Sequence, residues 1–217
     1  MTDTIRAHYD AIASGYDGRT ATDWTSNDHL IHVLRDQAVS ADNVLDLGGG
    51  TGQTTRAVRT VLPDAKVTLV ELSPGMAQVA RDAFAREEGV RIEVADLDAW
   101  LSSTEETYDL IVSAGVLEMA PDLTATLTRI AERVAPGGRV VLTCETRIHG
   151  YAPQQAADEV ITPPSGPIRV HRPEPYDFEA TLRREGLHID VSRLFVAFHR
   201  DHSEPVIYHL VSAVSSD

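Results

Sequence analysis

The run VLDLGGGTGQTT, residues 44–55, places Gly48, Gly49, Gly50 and Gly52 directly after apolar, strand-forming residues. Glycine opens backbone angles closed to other residues and lets a ligand approach the main chain. A Gly-x-Gly-x-x-Gly dinucleotide pattern begun at Gly48 would need its third glycine where Gln53 stands, so that pattern fails. Asp-x-Gly-x-Gly-x-Gly, headed by Asp46, fits instead. A carboxylate beside such a loop repels a pyrophosphate yet accepts from an ammonium or a hydroxyl. The ligand that suits it is nucleoside-like and poor in phosphate.

Two further acids stand where a nucleoside would want them. Glu71 closes the second apolar run, 25 residues after Asp46, where a carboxylate can accept from both hydroxyls of a ribose. Asp96 closes the third run, where it could accept from an adenine amino group with Leu97 packed beside the ring. Taken singly, each acid reads more readily as a helix cap or a solvated residue. Three in order after a glycine loop form a constellation.

The elements that must position them read as follows. NVLDLG, KVTLVEL, VRIEVAD, YDLIVSAG and GRVVLTCE are short apolar runs separated by helical stretches or turn signals, the pattern of a parallel α/β sheet. Helices are expected from Thr54 to Leu62, from Ser73-Pro74 with Gly89 as the stop, and from Pro121-Asp122 to the Pro136-Gly137-Gly138 turn. Residues 146–175 hold six prolines and show no period, so an irregular substrate loop or lid is expected there. A helix from Tyr176 to Glu185 follows. HIDVSRLFVAFHR and EPVIYHLVSAVS then read as strands joined by the turn Asp201-His202-Ser203, which demands an antiparallel pair. A chain of 217 residues suits one domain, divided as an N-terminal helical cover (1–42), a cofactor-binding core (43–145), the lid (146–175) and a C-terminal helix and hairpin (176–217).

These motifs resemble the class I S-adenosylmethionine-dependent methyltransferases over roughly residues 5–145. The likeness is to the small-molecule enzymes of ubiquinone biosynthesis and natural-product tailoring. It implies a Rossmann-like α/β fold: a seven-stranded, mostly parallel sheet ending in an antiparallel C-terminal hairpin, with helices on both faces. It also implies S-adenosylmethionine as cofactor, with Gly48, Gly49, Gly50 and Gly52 around its methionine portion, Glu71 on the ribose and Asp96 at the adenine. Asp46, Leu72, Met76 and Leu97 complete that set, and Ser113, Ala114 and Gly115 would face the sulfonium. In YDAIASGYD, the pairs Tyr9-Asp10 and Tyr16-Asp17 with Ala13 match a helix that closes over the cofactor. Tyr16 is the expected cofactor contact, and Arg19 and Trp24 would extend the cover.

Methyl transfer is an in-line displacement at a carbon already activated by positive sulfur, so alignment and exclusion of water matter most. A base is needed only where the acceptor must lose a proton. Related sequences often carry a histidine after the fourth strand, where this chain has Met119 in GVLEMAPD; Glu118 and His149 are the remaining candidates. The lid contributes Arg147, His149, Tyr151, Arg169, His171 and Arg172, a group suited to a carboxylate or phenolate acceptor. Tyr9, Trp24, Arg147, Tyr151 and His171 are the expected substrate contacts. No metal site is expected, because Ser113 ends the fourth strand and His199 with His202 lack a third ligand.

Composition narrows the field further. Nineteen Lys and Arg against 33 Asp and Glu give a net charge of −14, which argues against a nucleic-acid partner, as does the absence of an Asn/Asp-Pro-Pro-aromatic motif. The single cysteine, Cys144, cannot form an internal disulfide and reads as a core thiol, so a cytoplasmic setting is expected. MTDTIRAHYD lacks the apolar core of a signal peptide, and no apolar run reaches the length of a membrane span. The expected activity is O- or N-methylation of a small molecule in natural-product or specialised metabolism. The alternative is a non-methylating rearrangement or cyclisation that uses the same pocket. A pure binding module is disfavoured by the intact glycine loop. The acceptor's identity is open, and so is a homodimer.

Overall fold

The computed structural model describes residues 2–20, 23–151, 156–200 and 204–216. Five strands alternate with helices as the sequence predicts: β1 (Asn43–Leu47), β2 (Lys66–Glu71), β3 (Val90–Val94), β4 (Tyr108–Ser113) and β5 (Val134–Glu145). With β8 (Leu187–Arg200) and β9 (Glu204–Ser215) they form one sheet in the order β3-β2-β1-β4-β5-β9-β8. Pairing is parallel from β3 through β5, whereas β9 runs antiparallel to both β5 and β8. The expected Rossmann-like α/β architecture is therefore present. The turn expected at 201–203 lies outside the described residues.

Continuous apolar runs in the central strands follow from burial on both faces of the sheet. On one face Leu45, Leu47, Ile111, Val140 and Leu142 pack with Leu127 and Ile130 of α7 (Leu123–Glu132) and with Phe178 and Leu182 of α8 (Pro175–Arg184). On the other face Val44, Val67, Leu110, Val112 and Val141 meet Leu30, Val33 and Leu34 of α3 (Ser26–Asp36) and Val58 of α4 (Gln53–Arg59). Cys144 lies in the first of these layers, fully buried, and burial pushes its thiol well above the usual range. α5 (Pro74–Ala83) starts on the Ser73 cap, whose Oγ accepts from Met76 N at 3.1 Å, with Pro74 in the first turn. It ends at Ala83, well before the expected stop at Gly89. α7 starts on Asp122, which accepts from Ala125 N at 3.0 Å.

The segment 146–175 corrects the sequence expectation of an irregular lid. It contains a two-stranded antiparallel sheet, β6 (Asp158–Ile161) with β7 (Ile168–His171). Prolines 163, 164 and 167 sit in the connection and not in the ladder, so they do not cost pairing. The hairpin is held down by Arg172, only 1% exposed, whose Nε donates to Glu145 Oε1 at 2.5 Å and whose Nη2 donates to Glu159. Arg200 of β8 joins through Glu145 Oε1 at 3.0 Å and Glu159 Oε2 at 3.3 Å. A buried guanidinium is stable only when paired in this way. No helix among the described residues is long and apolar enough to cross a membrane.

Candidate functional site

Strand order reverses between β1 and β4, which leaves a crevice at their carboxyl ends, where α/β sheets place ligands. A cleft enclosing about 830 Å³, part of it open to solvent, lies there. Gly48 and Gly50 line it after β1, Glu71 and Leu72 after β2, Ala95 to Asp98 after β3, and Ala114 to Val116 after β4. Its cover comes from α1 (Thr2–Ile12), which supplies Tyr9, and α2 (Tyr16–Thr20), which supplies Tyr16. Tyr16, Gly48, Gly50, Glu71, Leu72, Met76, Asp96, Leu97 and Ala114 thus share one cleft.

Glu71 is 7% exposed; its Oε1 accepts from Ser73 N at 2.7 Å and its Oε2 from Gly50 N at 3.1 Å. Burial raises its pKa, and the amides of Ser73, Gly50 and Leu72 restrain that rise. A carboxylate offers about four lone-pair sites, so these amides leave at least one for a ligand. Such a carboxylate fits a pair of vicinal hydroxyls. Gly48 and Gly50 have φ of +67° and +58°, so the loop turns its backbone toward the ligand where an L side chain would be strained. The residues present therefore fit the nucleoside sulfonium that the resemblance implies.

Other expected contacts lie elsewhere. Asp46 is fully buried beneath the loop, outside the cleft lining, and its Oδ2 accepts from Thr55 Oγ1 at 2.6 Å. Burial pushes its pKa up to about 7, against the opposing Thr55 hydrogen bond. Asp46 supports the loop from behind, because a Cβ on Gly49 would lie 2.8 Å from its Oδ2. Gly49 and Gly52 also face away from the cleft, against Leu69 and Phe84. Ser113 is buried, and its hydroxyl donates to Leu47 O at 3.0 Å, which ties β4 to β1 instead of facing a ligand. Asp96 lines the cleft but also caps α6 (Leu97–Ser103), accepting from Ala99 N at 3.1 Å.

The lid cations are not gathered at the cleft. Arg147 pairs with Glu174, and Arg169 and His171 both pair with Asp158. Tyr151 donates to Pro205 O at 3.0 Å, and His149 lies beside Arg147 and Glu174. Acids 11 to 27 residues away in sequence pair with Arg147, Arg169 and His171, which no local pattern displays. His199 pairs with Asp23 at 3.1 Å, His202 lies outside the described residues, and no metal-ligand cluster of three occurs among those described.

Sequence reasoning missed how the cover is fastened. Asp10 Oδ1 accepts from Ser73 Oγ at 2.5 Å and Gly75 N at 2.8 Å, which pins α1 to the start of α5. Asp17 accepts from Thr51 Oγ1, from Gln53 Nε2 at 2.8 Å and from Arg56 Nη2 at 3.1 Å, which pins α2 to the glycine loop. The repeated Tyr-Asp pairs carried the signal: each tyrosine lines the cleft and each aspartate latches it. Asp17→Ala removes one latch of about 1–1.5 kcal/mol, so affinity for S-adenosylhomocysteine should fall about 5- to 10-fold. Calorimetric titration checks this, and unchanged affinity would show the latch to be idle.

A second cavity of about 1220 Å³, also partly open to solvent, adjoins the first. Tyr9, Tyr16 and Gly115 wall both; Trp24, Glu118, Phe198 and Tyr208 line the second together with the polar Arg19, Thr20, Asp23 and His199. Trp24 stands edge-on to Tyr208 at 5.5 Å and packs so closely on Gly115 that a Cβ there would lie 2.6 Å from its ring. Met119, at the place of the absent histidine, accepts from Tyr9 OH at 3.7 Å through its sulfur.

Residues 45–140 match the family model described as a methyltransferase domain. The chain is 28% identical over 134 residues to the malonyl-[acyl-carrier protein] O-methyltransferase of Acetivibrio thermocellus, a match covering 62% of this chain and 46% of that protein. It is 36% identical over 110 residues to fumosorinone synthetase of Cordyceps fumosorosea, covering 48% of this chain and 3% of that one. The chain thus spans less than half the length of these relatives. Among solved structures, the 1,6-didemethyltoxoflavin-N1-methyltransferase of Burkholderia thailandensis, bound to 1,6-didemethyltoxoflavin and S-adenosylhomocysteine, superposes with a TM-score of 0.72 at 19% identity, covering 99% of this chain and 88% of that one. Residues 45–140 thus match a methyltransferase domain, carried on a sheet whose fold is that of solved S-adenosylmethionine-dependent methyltransferases.

Proposed function

We propose that the chain transfers a methyl group to the oxygen or nitrogen of a small molecule held in the second cavity, with the cofactor in the first. The observation that carries this reading is the shared wall of the two cavities, Tyr9, Tyr16 and Gly115, with the glycine loop and Glu71 on one side and Trp24, Phe198, Tyr208 and the buried Glu118 on the other. S-adenosylmethionine, when bound, supplies a methyl carbon on positive sulfur. Glu71, Asp96 and the Gly48–Gly50 backbone would orient it. Tyr9, Tyr16 and Trp24 would exclude water and align the acceptor, which is most of what an in-line displacement asks of a protein.

The matched domain supports transfer over a rearrangement or cyclisation in the same pocket. The reading includes one domain throughout, a cytoplasmic setting consistent with the lone buried thiol, and an acceptor other than nucleic acid, in keeping with the charge of −14. Natural-product metabolism is supported by the likeness to a synthetase such as that of Cordyceps fumosorosea. A homodimer stays part of the proposal only as an assembly that leaves the cleft open. Binding decides the core of it: S-adenosylmethionine and S-adenosylhomocysteine should bind at micromolar concentration, with ATP and NAD failing to compete. Absence of binding by both sulfur nucleosides would sink the reading.

A further inference from the structure

Two acids line the second cavity, Asp23 and Glu118, and Glu118 is the buried one. It follows β4 in the 3-10 turn Leu117–Met119 and is 5% exposed. Its Oε1 accepts from Tyr208 OH, and its Oε2 is buried without a hydrogen bond. Around it stand Tyr9, Tyr16, Trp24, Phe198 and Tyr208. The charged groups at the mouth do not neutralise it: His199 is paired with Asp23, and Arg19 is exposed. Glu145, behind it on β5, adds repulsion, while its own charge is occupied by Arg172 and Arg200. An acceptor oxygen buried without a donor costs about 1–3 kcal/mol, a cost that a ligand's O–H or N–H would recover.

Resting on the two-cavity reading above, we propose that the second cavity selects a ring-bearing acceptor whose O–H or N–H donates to Glu118 Oε2, and that it rejects anionic acceptors. The rings supply flat apolar contact and Glu118 supplies a directional bond among them. An anion in the same place would put two negative charges side by side at a buried carboxylate. Burial pushes the Glu118 carboxyl up to about 7, restrained by the Tyr208 hydroxyl and by the backbone amides of Glu118 and Glu145, so the carboxylate predominates at pH 8.

The test uses protein saturated with S-adenosylhomocysteine at pH 8, titrated with 6-hydroxyquinoline, 6-methoxyquinoline and quinoline-6-carboxylate. These probes share one ring system and differ in donor and charge. The hydroxy compound should bind at least about tenfold more tightly than either of the others. Glu118→Ala should erase that preference, and Glu118→Gln should admit the carboxylate because a neutral amide no longer repels it. Unchanged S-adenosylhomocysteine affinity in both variants shows that they fold. If Glu118→Ala does not, the Gln variant decides alone. A preference that is absent in the wild type or survives in the variants overturns the proposal, as does failure of all three probes to bind. Failure of S-adenosylhomocysteine itself to bind would instead strike the cofactor reading.

Discussion

Glu71→Ala should lower affinity for both S-adenosylmethionine and S-adenosylhomocysteine by on the order of 100-fold, since hydrogen bonds to a charged group are worth about 1.5–3 kcal/mol. Two contributions add in the same direction. The carboxylate's free lone pairs would be lost to the ligand, and the amides of Gly50 and Ser73, which it now holds, would lose their partner. Glu71→Gln separates the two: it keeps one oxygen for an amide and loses the charge, so its affinity should fall between the wild type and the alanine variant. Isothermal titration measures all three. Retained affinity in Glu71→Ala would remove the ribose assignment and leave Glu71 a loop brace.

Gly48→Ala should be the most damaging single methyl in the chain. Its φ of +67° costs an L residue about 1–2 kcal/mol. The added Cβ would lie 2.3, 2.8 and 3.0 Å from three carbons of Val116, a stiff β-branched side chain that lines the first cleft. Overpacking of this kind costs about 1–3 kcal/mol. Together these predict a melting temperature about 5–15 °C lower, with Val116 driven into the cofactor's space. Thermal unfolding with and without S-adenosylhomocysteine should show the loss of both stability and ligand stabilisation. A variant that melts within about 2 °C of wild type and still responds to the ligand would refute the close packing of the loop on Val116.

What the sequence made legible was everything tied to strand ends. Glycine loop, Glu71, Asp96 and Ala114 sit at fixed offsets from apolar runs, and parallel strand order carries those offsets into one crevice. Depth was illegible: Asp46 and Ser113 occupy the same kind of position yet face the interior, bonded to Thr55 and Leu47. Pairing at a distance was illegible too. Arg147 and His171 read as free cations only until the chain folds Glu174 and Asp158 against them. The second cavity depends on the same kind of closure, for Tyr208 meets Glu118 across 90 residues. The β6–β7 ladder escaped notice because four-residue strands among prolines leave no period to read.

The ion group of Glu145, Glu159, Arg172 and Arg200 bears on how this scaffold can be re-engineered. Surface hairpins are the usual currency of loop grafting, and β6–β7 resembles a detachable ornament beside the main sheet. Exchanging residues 158–172 would take away Glu159 and Arg172 and leave Glu145, 3% exposed, with Arg200 as its only counter-ion among the four. Two acids and two arginines close the group at zero net charge, and the fourth member stands on β8, outside any hairpin cassette. A transplant that succeeds will have to carry a matching guanidinium into the same hole, so the hairpin is inherited together with the strands it rests on.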